Sequence, residues 1–212
     1  MATSPPIAES DHALFVSGST SSPFPGQTFA GRRDGFVAKI DKADGSLVWG
    51  RLYGLADSDS FEGVAVAGSL VYAVGYVTNT VSQPVLVSYD MATGSMVSAI
   101  TDFGTAAADG RAHAVAFAGL ANRLFVTGYT FGDAAGAVPN QGQSDIFVAV
   151  FDGGALNSTH LLGSARADEG FDIVAAENAA SAYVVGEVED SGELPGQTTS
   201  IWRDAFVAKF VL

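Results

Sequence analysis

Asp34-Gly35-Phe36-Val37-Ala38-Lys39 decides the fold, because the chain repeats it as Asp145-Ile146-Phe147-Val148-Ala149-Val150 and as Asp204-Ala205-Phe206-Val207-Ala208-Lys209. Each copy sets an aspartate before an apolar run in which large and small residues alternate, the pattern of a half-buried strand. Outward from this phrase lie four further apolar runs, Leu14–Gly18, Val71–Gly75, Leu124–Gly128 and Tyr183–Gly186, each closed by glycine. Their glycines stand 57, 53 and 58 residues apart. Self-similarity at such a period marks one supersecondary unit, copied and stacked so that neighbours bury its faces.

Each unit reads as four strands. The glycine-closed run is the second and the Asp-x-Phe-Val-Ala phrase the third; Val85–Tyr89 supplies the missing copy, since Asp41, Asp90 and Asp152 follow the corresponding runs. Fourth strands are Leu47–Gly54, Met96–Gly104 and, with a weaker pattern, Thr159–Gly163. First strands are Gly63–Ala67, Ala114–Ala118 and Ile173–Ala176, with Pro6–Glu9 as a degenerate copy. The pattern predicts an all-β protein of about 15 strands in four antiparallel units, each the size of a propeller blade. A single β-propeller over residues 1–212 is expected, with blades near 5–54, 60–104, 110–163 and 170–212, the last lacking its outer strand.

The succession LVWGRLYG, an Asp-rich turn, GVAVA, LVYAVGY and DGFVAK resembles the repeat of the bacterial seven-bladed β-propeller repeat family, over nearly the whole chain. The resemblance implies a propeller, used as a scaffold or surface module rather than for one chemistry. Two departures stand out: Trp49 aligns with Ala99 and Ser158, and Gln83-Pro84-Val85 replaces the Asp-x-Phe phrase. Less regular packing at the outer edge of those blades is expected. Four units against seven leave three arrangements open: a ring closed within one chain, a homo-oligomer in which a second chain completes an arc, or a fragment of a longer array. An open arc exposes apolar end faces and strand edges.

Composition narrows the function classes. Of 212 residues, 48% are hydrophobic and 16% charged, enough to bury a sizeable core. The net charge of −13, from 10 Lys plus Arg against 23 Asp plus Glu, disfavours nucleic acid and anionic lipid as partners. No apolar run reaches the roughly 20 residues of a membrane helix, so no membrane insertion is expected. Residues 1–10 hold neither the basic nor the apolar region of a secretory signal. The absence of cysteine excludes disulfides, thiolate metal sites and cysteine nucleophiles. An extracellular or cell-surface location is expected if the chain is processed from a longer precursor.

Three polar residues, Glu62, His113 and Asp172, stand two positions before Val64, Val115 and Val174 at the start of the inner strands. Converging at one mouth of a propeller, they can bind a ligand or cation, or share protons. The alternative is that they are ordinary strand-start residues facing solvent. Acidic turns at Asp57, Asp59, Asp109, Asp168 and Glu169 raise calcium as a cofactor, although none has an EF-hand spacing and Asx turns account for such residues. Phe24-Pro25-Gly26-Gln27-Thr28 and Leu194-Pro195-Gly196-Gln197-Thr198, with the shorter Val138-Pro139, fit type II turns and lie where ligand loops occur. Arg32 and Arg33 beside Asp34, and Arg203 beside Asp204, read as ion pairs or strand caps. Trp49, Tyr53, Phe103 and Trp202 serve either as sugar platforms or as core.

No nucleophile elbow, zinc-protease helix, phosphate loop or dinucleotide fingerprint occurs. The leading expectation is a non-catalytic binding or scaffold module with a protein or carbohydrate ligand. A polysaccharide-acting hydrolase or lyase using Glu62 and Asp172, and a calcium-dependent or aromatic-platform lectin, are the alternatives.

Overall fold

A computed structural model describes residues 7–101, 103–105, 108–134, 139–177, 180–189 and 203–211. Trp202, the loop at 194–198 and Val138 lie outside the described residues. The chain divides into two compact units, Met1–Thr101 and Asp102–Leu212.

In the first unit, β1 (Ile7–Glu9), β2 (Ala13–Thr20), β3 (Asp34–Asp41) and β4 (Leu47–Tyr53) form one sheet, and β5 (Ser60–Ala67), β6 (Leu70–Thr78), β7 (Ser82–Asp90) and β8 (Met96–Ile100) a second. In the second unit, β9 (Gly110–Ala118), β10 (Arg123–Thr130), β11 (Asp145–Asp152) and β12 (Ala155–Leu162) form the third sheet, and β13 (Asp168–Ala175), β14 (Ser181–Val188) and β15 (Asp204–Val211) the fourth. Within each sheet of the first unit, strands adjacent in sequence pair antiparallel. The same holds in the second unit. Fifteen strands among the described residues, in the expected order, make this an all-β protein of four antiparallel sheets with three or four strands each.

The recurring glycine of the second strand has a backbone cause. In three sheets the first strand carries one extra residue opposite it: Glu62 in β5, His113 in β9 and Phe171 in β13. This bulge pushes the carbonyls of Ser60, Arg111 and Glu169 onto Gly75, Gly128 and Gly186, where any Cβ would overlap the oxygen. The register also corrects two sequence alignments. Phe171, not Asp172, is the counterpart of Glu62 and His113, because Asp172 pairs with Val185 as Ala114 pairs with Thr127. Ser98, not Ala99, is the counterpart of Trp49: each fourth strand bulges one residue before this position, at Val48, Val97 and Asn157, and the bulge moves the count by one.

Strand alternation divides each sheet into two faces. Two and four residues before the glycine, and two after it, Val71, Ala73 and Val77 face the first sheet while Ala182, Val184 and Val188 face the third. Three residues before it, Phe15 and Phe125 face the sheet that follows within their unit. Phe15 and Phe125 are fully buried, which stabilises each pair of sheets by roughly 1.5–3 kcal/mol per side chain. Trp49 of β4 closes the first core over Phe15 and Tyr89, and its Nε1 donates to the Met91 carbonyl at 3.3 Å. Where serine replaces it, β8 shrinks to five residues with Met96 and Val97 exposed, while β12 keeps eight.

Candidate functional site

Two cross-strand pairs meet at one cavity in the second unit. Arg111 of β9 lies opposite Tyr129 of β10, and Glu169 of β13 opposite Glu187 of β14. With His113, Phe131, Ser144, Ala167, Glu189 and Arg203 they line a cavity of about 220 Å3. Because the bulge in β9 adds His113, its ring stands beside Tyr129, with centroids 5.6 Å apart, and edge-on to Phe171 at 6.4 Å. Phe131 packs edge-on against Tyr129 at 6.0 Å, yet remains 47% exposed.

Charge inside the cavity is matched locally. His113 Nε2 lies 2.6 Å from Glu169 Oε1, across the two sheets. Arg203 pairs with Glu187 and, at 3.5 Å, with Glu189. A carboxylate on Nε2 fixes the imidazole's orientation and leaves Nδ1 as its second polar atom. The result is a cleft with aromatic walls, acceptor carboxylates and a guanidinium donor. Such a lining can hold a small polar molecule by stacking and hydrogen bonding.

Of the three residues singled out in the sequence, His113 lines the cavity, Asp172 in the same unit is exposed with Oδ1 accepting the Ile173 N–H at 2.8 Å, and Glu62 is on β5 in the first unit. Glu169, which the sequence offers only as part of an acidic turn, is the carboxylate that meets His113. No protein-family model matches this chain, and no curated protein matches it.

The other acidic residues tie loops. Asp34 and Asp145, each opening a third strand, are buried and accept backbone N–H groups four residues upstream: Ala30 at 2.9 Å and Gln141 at 2.9 Å. Asp59 and Asp168, each preceding or opening the first strand of a sheet, do the same with Leu55 at 2.6 Å and Ser164 at 2.5 Å. The glycine ending the fourth strand makes room for these carboxylates, since a Cβ on Gly54 would meet both Asp59 and Asp34, and one on Gly163 would overlap Asp145. Burial raises the pKa of Asp59, with Asp34 and Asp57 adding to it against two backbone hydrogen bonds. Burial likewise pushes Asp145 up to about 6, helped by Asp168 and Asp133, and raises Asp168, helped by Glu189. Among the described residues no three His, Asp or Glu side chains form a group able to hold a metal ion.

Of the aromatic candidates, Trp49 and Phe103 are buried, and Tyr53 stacks on Phe61 with centroids 6.2 Å apart. They are core. Phe24-Pro25-Gly26-Gln27 forms the expected turn, with Gly26 at φ 76° and the Gln27 N–H donating to the Phe24 carbonyl at 3.0 Å. Its Phe24 ring lies on Gly50 and Phe36, so this loop packs the sheet. Asp34 is a strand cap, while Arg32 approaches Asp57 at 3.9 Å.

Proposed function

We propose that this chain is a non-catalytic β-propeller module that binds carbohydrate at the cavity around His113. The propeller reading draws on four copied antiparallel sheets whose strands follow sequence order, two stacked sheets in each unit. The binding reading is carried by one observation: exposed Phe131 shares a cavity with Tyr129, Glu169, Glu187 and Arg203. A pyranose has an apolar C–H face and a rim of hydroxyls. Its face suits an aromatic ring, while its hydroxyls donate to carboxylates and accept from a guanidinium. Asp172, one of the two acids on which a hydrolase or lyase would depend, does not line this cavity. A location outside the cell or on its surface, where glycans are met, accords with this role.

A glycan array with the intact chain tests the reading. Binding to neutral glycans is expected with or without calcium, and Phe131→Ala should weaken it about tenfold, the effect of losing roughly 1.4 kcal/mol of stacking. No binding to any glycan would overturn it, as would binding that Phe131→Ala leaves unchanged.

A further inference from the structure

We infer that the cavity around His113 takes an amino sugar, its ammonium held by Glu187 and Glu189 and its ring laid on Phe131, an inference that rests on the carbohydrate reading of that cavity. The internal repeat separates what the fold needs there from what it does not. Counted from the second-strand glycine, Tyr129 and Phe131 of the third sheet correspond to Ser19 and Ser21 of the first. Glu169 and Glu187, a cross-strand pair in the fourth sheet, correspond to Ser60 and Tyr76 in the second. Three residues after their glycines stand Glu189 and Thr78, and Arg203 takes the place of Ser82.

In the first unit the fold uses hydroxyl groups at these positions: Thr78 Oγ1 donates to the Ser58 carbonyl at 2.8 Å and lies 3.3 Å from Ser82 Oγ. Two stacked sheets of this repeat therefore form without a charge at any of these positions. The second unit adds three carboxylates and a guanidinium, and with them Phe131, left 47% exposed. Side chains that packing does not require, gathered on one cavity, point to a ligand.

Charge decides which sugar. The lining holds Glu169, Glu187 and Glu189 against the guanidiniums of Arg111 and Arg203, with Glu169 on His113. Glu187 and Glu189 share Arg203, whose side chain is 63% exposed, and exposed pairs of this kind are weak. Asp168, whose pKa burial raises and Glu189 raises further, adds a carboxylate close by. From residue 102 on, the second unit carries 14 Asp plus Glu against 5 Lys plus Arg, which is 9 of the 13 excess negative charges of the chain. An ammonium gains from this field and from the face of Phe131, whereas the carboxylate of a uronic acid is repelled by it. Ser144 supplies a further acceptor: it is 5% exposed, it lines the cavity, and its hydroxyl makes no hydrogen bond to a described residue.

Titration calorimetry on the full chain tests this with a glucosamine oligosaccharide, its N-acetylated form and a glucuronic acid oligosaccharide of equal length. The measurements are made at about pH 6, where the sugar amine is protonated and ordinary carboxylates are ionised. The free amine should bind about tenfold more tightly than the N-acetylated form, through charge-assisted hydrogen bonds the acetamide cannot make, and the uronic acid most weakly. Glu189→Gln, an isosteric change at a partly exposed position, should bring the amine and its N-acetylated form within about threefold of one another, and Glu187→Gln is the second variant of the same kind. Equal binding of the two forms, or tighter binding of the uronic acid, would overturn the inference and leave the carbohydrate reading standing. A preference for the amine that both variants keep would overturn it too, as would an oligolysine that binds as tightly as the amino sugar. Binding of none of the three sugars would overturn both the inference and the reading beneath it.

Discussion

Asp145 shows how one side chain couples the fold to pH. Its carboxyl is fully buried, and it accepts one backbone N–H, from Gln141, while Oδ1 makes no hydrogen bond to a described residue. Burial, with Asp168 and Asp133 nearby, lifts its pKa to about 6. A raised acid pKa means that the folded chain holds this proton more tightly than the unfolded chain does. The contribution to stability is therefore fully present below pH 3.8 and is lost as pH rises through about 6. Roughly 3 kcal/mol is at stake, two pKa units at about 1.4 kcal/mol each. Asp145→Asn should accordingly flatten the rise in stability between pH 7 and pH 4, measured by urea unfolding. A variant with the same pH slope as the parent would show that this carboxyl is not the source. The aspartate was plain in the sequence as the head of a repeated phrase; its burial was not, since that depends on a glycine, Gly163, arriving beside it from a different strand.

At the scale of strands, the second-strand glycine was the most visible mark in the sequence and the bulge behind it the least. Alternation identifies strands and their order because it depends on near neighbours. One extra residue opposite Gly75 leaves no mark in either strand alone; only the pairing reveals it, and a one-residue shift changes which side chains share a face. That is why the sequence alone aligns Asp172 with His113 in place of Phe171, and Ala99 with Trp49 in place of Ser98. The same bulge makes the glycine irreplaceable. Gly75→Ala would drive a methyl into the Ser60 carbonyl oxygen, so β5 and β6 must separate, and a loss of at least about 2 kcal/mol is expected. Gly119→Ala is the control: its nearest neighbour would be Phe117 at 3.7 Å, ordinary contact, and stability should stay within about 0.5 kcal/mol. Denaturant titrations of the two variants decide the matter. Equal losses would mean that the cost comes from glycine flexibility rather than from the bulge.

The whole molecule combines a legible core with a cavity that only tertiary packing assembles. His113 could be singled out as a polar residue at the start of an inner strand, but Glu169 and Arg203 join it from sequence positions 56 and 90 residues further on. No local spacing encodes such a meeting. Net charge, by contrast, is fully written in the composition, and it acts on the molecule as a whole. With 23 acidic residues against 10 basic ones, ion pairs such as Lys42–Glu9 and Arg123–Asp152 can neutralise only a minority of the carboxylates. Exposed pairs of this kind contribute about 0–1 kcal/mol, and salt weakens them. Self-repulsion among the excess acids opposes the compact state, and salt weakens that too. The excess of 13 negative charges makes repulsion the larger effect. Shortening the screening length from about 30 Å at 0.01 M to about 8 Å at 0.15 M salt should therefore raise the melting temperature. Sodium and tetramethylammonium chloride should act alike at equal ionic strength, since screening is indifferent to the cation. A melting temperature that falls with salt would place the balance with the ion pairs; a rise confined to sodium would point to a specific cation site.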